Sequence, residues 1–185
     1  MSRSTPQDQS ADATPHTTTK VSRVERLATG SVRYSRLNGF RVPNIDFDRV
    51  VVCESRARLI AAAYMAAPIT EPAALPAYCA FSKETGRQFD YLTSPRRRGG
   101  LGLAVEVSVQ DPYENATAMM HDIRDNNQLK VHATSGSESG HPVLSDDEND
   151  MFRAVHDAFG HASIGRGFDR HREEAAWLNV LPAGP

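Results

Sequence analysis

SDDENDMFRAVHDAFGH, residues 145–161, opens on a capping box: Ser145 stands at an N-cap and Glu148 three residues on. Asp146, Asp147 and Glu148 place negative charge where a helix carries its positive end, so a helix starts here. Met151, Phe152, Val155 and Phe159 recur at three- and four-residue steps and give it an apolar side. Gly160 weakens the helix and lets it unwind near His161. On an ideal helix His156 falls at the edge of the Phe152/Phe159 side, while Arg153, Asp157 and His161 share another face. His156 and His161 are five apart, about 140° around such a helix, a poorer fit to one metal than the four-residue spacing of zinc proteases. A bend at Gly160 would let them converge.

The carboxylate to complete such a site lies downstream. A last helix is expected over about 169–181, and on its wheel Glu174 shares a stripe with Trp177, Leu178 and Leu181, which aims it at the core. A carboxylate in a core needs a partner or a metal, because an unpaired buried charge is costly. Glu174 is therefore preferred to Glu173, which points away from that stripe. Two histidines and one carboxylate with open positions suit non-haem iron or zinc. The candidate ligands are His156, His161 and Glu174, with Asp157 orienting a histidine and Arg153 beside it as the candidate catalytic groups. The plain alternatives are a ladder of charge pairs along Arg153, Asp157 and His161, a core-edge His156, and a Glu174–Arg170 pair.

Further upstream, helices are expected over about 47–67 and 71–92. The second buries Leu75, Tyr78, Cys79, Ser82, Gly86 and Phe89, with Glu84 and Gln88 on another face. Leu103, Val105, Val107 and Val109 alternate with small or polar residues, as do Leu129, Val131 and Ala133, so two short strands are expected. Between them Pro112 opens a helix to about 125 that buries Tyr113, Ala116, Met120 and Ile123. Residues 21–46 give no clear element, 134–142 read as a flexible loop, and 1–20 as a disordered polar tail. The fold class is therefore α+β, predominantly helical, with about five helices and a two- or three-stranded sheet in one domain over 21–185.

The formal net charge of -2 argues against general nucleic-acid binding, and Arg96-Arg97-Arg98 reads as a solvated basic turn. Cys53 and Cys79 read as small buried hydrophobes. With no apolar N-terminal run and no membrane-length segment, the expectation is a cytoplasmic protein, not membrane-bound, whose protein partner, if it has one, stays unidentified.

The segment His156-Asp157-Ala158-Phe159-Gly160-His161 resembles the iron-binding His-[Asp/Glu]-x-x-Gly-His stretch of the aromatic amino acid hydroxylases. That resemblance implies two histidine ligands, a glutamate as the third, and iron. A longer pattern resembles an uncharacterised family of bacteriophages and mobile elements. It runs Asn149-Asp150-x-Phe152-Arg153-Ala154-Val155-His156-Asp157-x-Phe159-Gly160-His161, then Phe168, then Glu173-Glu174-x-Ala176-Trp177, with Asp111-Pro112-Tyr113 and the Glu84-Thr85 helix upstream. It spans roughly residues 50–177. Relatives continue for several tens of residues past the tryptophan, whereas this chain stops eight residues after Trp177. Two expectations stand side by side. One is a phage- or prophage-type metal-dependent oxygenase or hydrolase holding a divalent iron or zinc. The other is a non-catalytic accessory or interaction protein, a truncated and inactive relative.

Overall fold

The computed structural model describes residues 22–68, 70–136 and 140–180, so the expected tail over 1–20 lies outside the described residues, as do Leu181 and the centre of the 134–142 loop. Six α-helices and a two-stranded parallel sheet make up the described part: α1 (Glu25–Leu37), α2 (Glu54–Ala66), α3 (Leu75–Thr93), β1 (Ala104–Ser108), α4 (Ala116–Asp125), β2 (Gln128–His132), α5 (Asp146–Val155) and α6 (Arg170–Val180). Between α5 and α6 the chain continues from His156 to Ala162 as a π-helix. This is the predominantly helical α+β fold with its small sheet.

Strands β1 and β2 run parallel, with Val105 opposite Leu129 and Val107 opposite Val131. Parallel neighbours cannot be joined by a tight turn, and α4 makes the crossover between them. It starts later than Pro112 suggests. Asn115 is its N-cap, the side-chain oxygen accepting from the backbone N–H of Ala118 at 3.0 Å. Its inner face buries Ala116, Met119, Met120 and Ile123 against Leu129 and Val131 of β2. The alternation in β2 holds. In β1 it fades, because a two-stranded sheet leaves that edge open and Val107 and Val109 are exposed.

α1 was not legible beforehand. Val24, Leu27 and Tyr34 are buried along one side of it, at helical spacing. Its N-cap residue Val24 donates its backbone N–H to the carbonyl of Ala162 at 2.8 Å, which docks α1 on the end of the π-helix. The core is formed where α1, α3, α4, β2 and α5 meet the π-helix, around Leu27, Leu92, Met119, Leu129, Val155 and Phe159.

The buried face of α3 is Thr85, Gln88 and Leu92, not the Leu75–Cys79–Gly86 stripe. Leu75 and Cys79 are exposed because the first turns of α3 reach past the core. Cys53, at the N-cap of α2, is exposed as well, so neither cysteine is a core residue. α2 buries none of its residues, although Leu59, Ile60, Tyr64 and Met65 are apolar. Among the described residues no helix is long and apolar enough to cross a membrane.

Candidate metal centre

The capping box at the start of α5 is complete. Ser145 Oγ accepts from the Glu148 backbone N–H, and Glu148 accepts from the Ser145 backbone N–H at 2.9 Å. α5 then passes into the π-helix without a break in direction, since His156 has φ −61° and ψ −47°. The change is in the hydrogen bonding. The backbone N–H of Ser163 donates to Ala158 and that of Arg166 to His161, both at 3.0 Å and both five residues back.

An i→i+5 turn closes on the fifth residue, so side chains five apart come to stand over one another. The spacing that is awkward on an α-helix is the natural one here, and His156 and His161 face each other. Small residues at Ala158, Gly160 and Ala162, all buried, let the widened turn pack against its neighbours. The carbonyl of Phe159 is satisfied by side chains: Ser163 Oγ donates to it at 2.6 Å, and Asn179 Nδ2 of α6 donates both to it and to Ser163 Oγ. α6 is thereby fastened to the π-helix. Ala175 and Ala176 form the contact surface and are fully buried.

That docking sets which carboxylate reaches the histidines. It is Glu173, not Glu174. His156 Nε2 lies 3.2 Å from Glu173 Oε2, His161 Nε2 lies 3.3 Å from Glu173 Oε1, and the two Nε2 atoms are 3.1 Å apart. Glu174 instead accepts from Arg56 of α2 at 3.0 Å. The wheel for the last helix was anchored on Trp177 as the largest apolar group. The face that packs is the alanine face, and Trp177 is 45% exposed. Shifting the inward stripe from Trp177 to Ala176 moves the inward carboxylate back by one residue as well. Arg170, the other suggested partner of Glu174, pairs with Glu54.

The separations can be checked against a metal. Ligand atoms bonded at about 2.1 Å lie about 3.0 Å apart at right angles and about 3.4 Å apart at tetrahedral angles. The three distances fall between these values, with the two histidines approaching different oxygens of Glu173; taking one ligand atom from each residue, the three lie within 4.8 Å of one another. The donor set, two imidazole nitrogens and a carboxylate on one side of an ion, suits iron or zinc. Depth is graded across the site, with side-chain exposures of 1% for His161, 17% for His156 and 45% for Glu173. Phe168 presses edge-on against His161, ring centres 4.9 Å apart, and Phe152 lies 5.9 Å from His156. Burial raises the Glu173 carboxyl, but hydrogen bonds from His156 and His161 and their charge outweigh it and bring it to about 2. The group is therefore anionic at neutral pH.

The neighbours proposed for catalysis stand differently. Asp157 hydrogen-bonds to neither histidine, and the Nδ1 atoms of His156 and His161 are both buried and unpartnered. Burial pushes the Asp157 carboxyl up to about 6, against the pull of His161, His156 and Arg153. Among the described residues Arg153 reaches Asp157 through its charge alone, with no ion pair between them. The ladder along Arg153, Asp157 and His161 does not form, because the π-helix breaks the four-residue register. Three of the other described histidines have partners outside the site: His121 lies 3.7 Å from Asp125, His141 Nδ1 accepts from the backbone of Val143 and Leu144, and His171 Nδ1 accepts from Val52, while His132 ends β2 away from the three converging groups.

No protein-family model, no curated protein and no solved structure matches this chain.

Proposed function

We propose that the protein is a metal-dependent enzyme whose ion is held by His156, His161 and Glu173. One observation carries this reading: the Nε2 atoms of His156 and His161, 3.1 Å apart, meet the carboxylate of Glu173 from another element, each 3.2–3.3 Å from a different one of its oxygens, so that one ligand atom from each residue lies within 4.8 Å of the others. An ion there would supply Lewis acidity and a water of lowered pKa if zinc, or oxygen chemistry if iron. The chain's own part is to fix the two Nε2 atoms through the π-helix, to hold Glu173 ionised, and to keep water from the His161 side with Phe168. Glu173 and His156 remain open to a groove on the α2 side, where a substrate would enter.

The likeness of residues 156–161 to the hydroxylase segment supports iron and an oxygenation, with zinc-dependent hydrolysis the other member of the pair. The likeness of residues 50–177 to a bacteriophage and mobile-element family supports a phage- or prophage-type protein. A cytoplasmic setting would keep the free thiols of Cys53 and Cys79 reduced.

The unpartnered Nδ1 atoms favour a second reading. Metal-bound histidines usually donate the other ring N–H to a partner, and here neither does. In that reading the trio is a hydrogen-bonded clasp between the π-helix and α6 of a non-catalytic accessory protein. Elemental analysis of purified protein, followed by anaerobic titration with Fe²⁺ and aerobic titration with Zn²⁺, separates the two. The enzyme reading expects one ion per chain, lost in His156→Ala. Absence of uptake of either metal leaves the clasp.

A further inference from the structure

The groove beside Glu173 runs between α2 and α6, is open to solvent, and has a volume of about 550 Å³. That lies within the size range of pockets for small organic molecules. Its walls are apolar: Ile60, Ala61, Tyr64 and Met65 from α2, and Trp177 from α6. Its floor includes His156 and Glu173, two of the three converging groups. The apolar residues of α2 on this wall are open to solvent, Tyr64 80% and Met65 82% exposed.

Charge narrows the class. Two arginines line the groove, Arg56 and Arg170, and each is already paired at 3.0 Å, with Glu174 and Glu54 respectively. The positive charge of each is thereby matched by a carboxylate across the groove. We propose that this groove is the substrate pocket of the candidate metal centre and that it takes a small, neutral, predominantly apolar molecule. The proposal rests on the metal reading above. The two ion pairs join α2 to α6 across the groove, so α2 acts as the wall that shapes it and Trp177 as the flat surface on which the substrate lies.

The single tryptophan makes the pocket directly observable. The neutral fluorescent probe N-phenyl-1-naphthylamine is titrated into the Co²⁺-loaded full chain, reading energy transfer from Trp177 and the cobalt absorption bands together. The expected result is saturable binding of one probe per chain, with a shift in the cobalt bands at the same midpoint. Ala61→Phe fills the groove and is expected to weaken probe binding about tenfold or more, equivalent to ~1.4 kcal/mol, while cobalt binding stays as in the wild type. Ala62→Phe, on the same exposed helix but outside the groove wall, is expected to leave both unchanged.

Cobalt uptake together with probe binding that ignores Ala61→Phe, or equal binding of the anionic probe 1-anilinonaphthalene-8-sulfonate, overturns the pocket while the metal centre stands. A stable dimer with no probe site shows that a second copy occupies the groove and overturns it as well. No cobalt uptake removes the metal centre itself, and with it the groove's role as a substrate site, a result distinct from the other two.

Discussion

Glu173→Gln separates the two carboxylates of α6 most sharply, because glutamine keeps the shape and removes the charge. In metal-free protein the Glu173 carboxyl falls from its ordinary 4.5 to about 2, which corresponds nominally to ~3 kcal/mol at about 1.36 kcal/mol per pH unit. The side chain is 45% exposed, so solvent screening reduces this to about 1 kcal/mol. A carboxyl lowered on folding stabilises fully above its unfolded value. The contribution is therefore complete above pH 4.5 and lost as pH falls toward 2. At pH 7 Glu173→Gln is expected to lower Tm by roughly 2–4 °C, and the gap from wild type should close in acid.

Metal makes the contrast larger. An ion at a hundred times its Kd stabilises the fold by about 2.7 kcal/mol, or roughly 5–10 °C in Tm for a chain of this size. Outer-shell partners alone change metal affinity about 10–100-fold, so loss of a charged ligand should cost about a hundredfold or more and abolish that gain. Glu174→Gln loses only the Arg56 ion pair at the groove and should keep the metal response, with a stability cost under about 1 kcal/mol. Thermal unfolding with and without Zn²⁺ reads both. A metal response that survives Glu173→Gln, or one that disappears in Glu174→Gln, refutes the assignment of Glu173.

Three further perturbations probe the surrounding structure. Asp157→Asn is expected to stabilise metal-free protein by about 1–3 kcal/mol at pH 8. The wild-type carboxyl is raised from 3.8 to about 6 by burial, so what it contributes below pH 3.8 is lost as pH rises through 6. Urea unfolding from pH 4 to 8 should show the difference growing with pH, and a constant difference contradicts the burial argument. Ser145→Ala removes the side-chain half of the capping box, the Oγ that accepts from the Glu148 N–H, and should cost about 1 kcal/mol, read as a lower urea midpoint at unchanged slope. Gly100→Ala places a Cβ 2.2 Å from the Ser94 carbonyl oxygen. That is a backbone clash that no rotamer relieves, with an expected loss of about 1–3 kcal/mol and a Tm lower by several degrees; an unchanged Tm would mean that the turn after α3 shifts freely.

Much of the fold was local and therefore readable. The start of α5 follows from Ser145 and Glu148, whose reciprocal hydrogen bonds involve only four consecutive residues. β2 follows from the alternation of Leu129 and Val131, and the inner face of α4 from Ala116, Met120 and Ile123. Where packing is long-range the reading slipped. α3 is longer than the core it meets, so its stripe was set by Leu75 and Cys79, which are exposed, instead of Leu92. α2 is alanine-rich and apolar, which suggests burial, yet its apolar side faces the groove beside α6.

For the candidate site, the sequence by itself determined the two histidines, their spacing of five, the adjacent glutamates and the small residues that make Gly160 a weak point. It could not determine that the helix widens into a π-turn rather than unwinding. That depends on Asn179 and Ser163 satisfying the Phe159 carbonyl, and Asn179 comes from another helix. Nor could it select Glu173. The rotation of α6 is set by how closely Ala175 and Ala176 approach the π-helix, a contact between surfaces, whereas a helical wheel sees only the size of Trp177. Spacing along the chain named the ligand types, and only the packing of α6 on the π-helix decided which carboxylate faces both imidazoles.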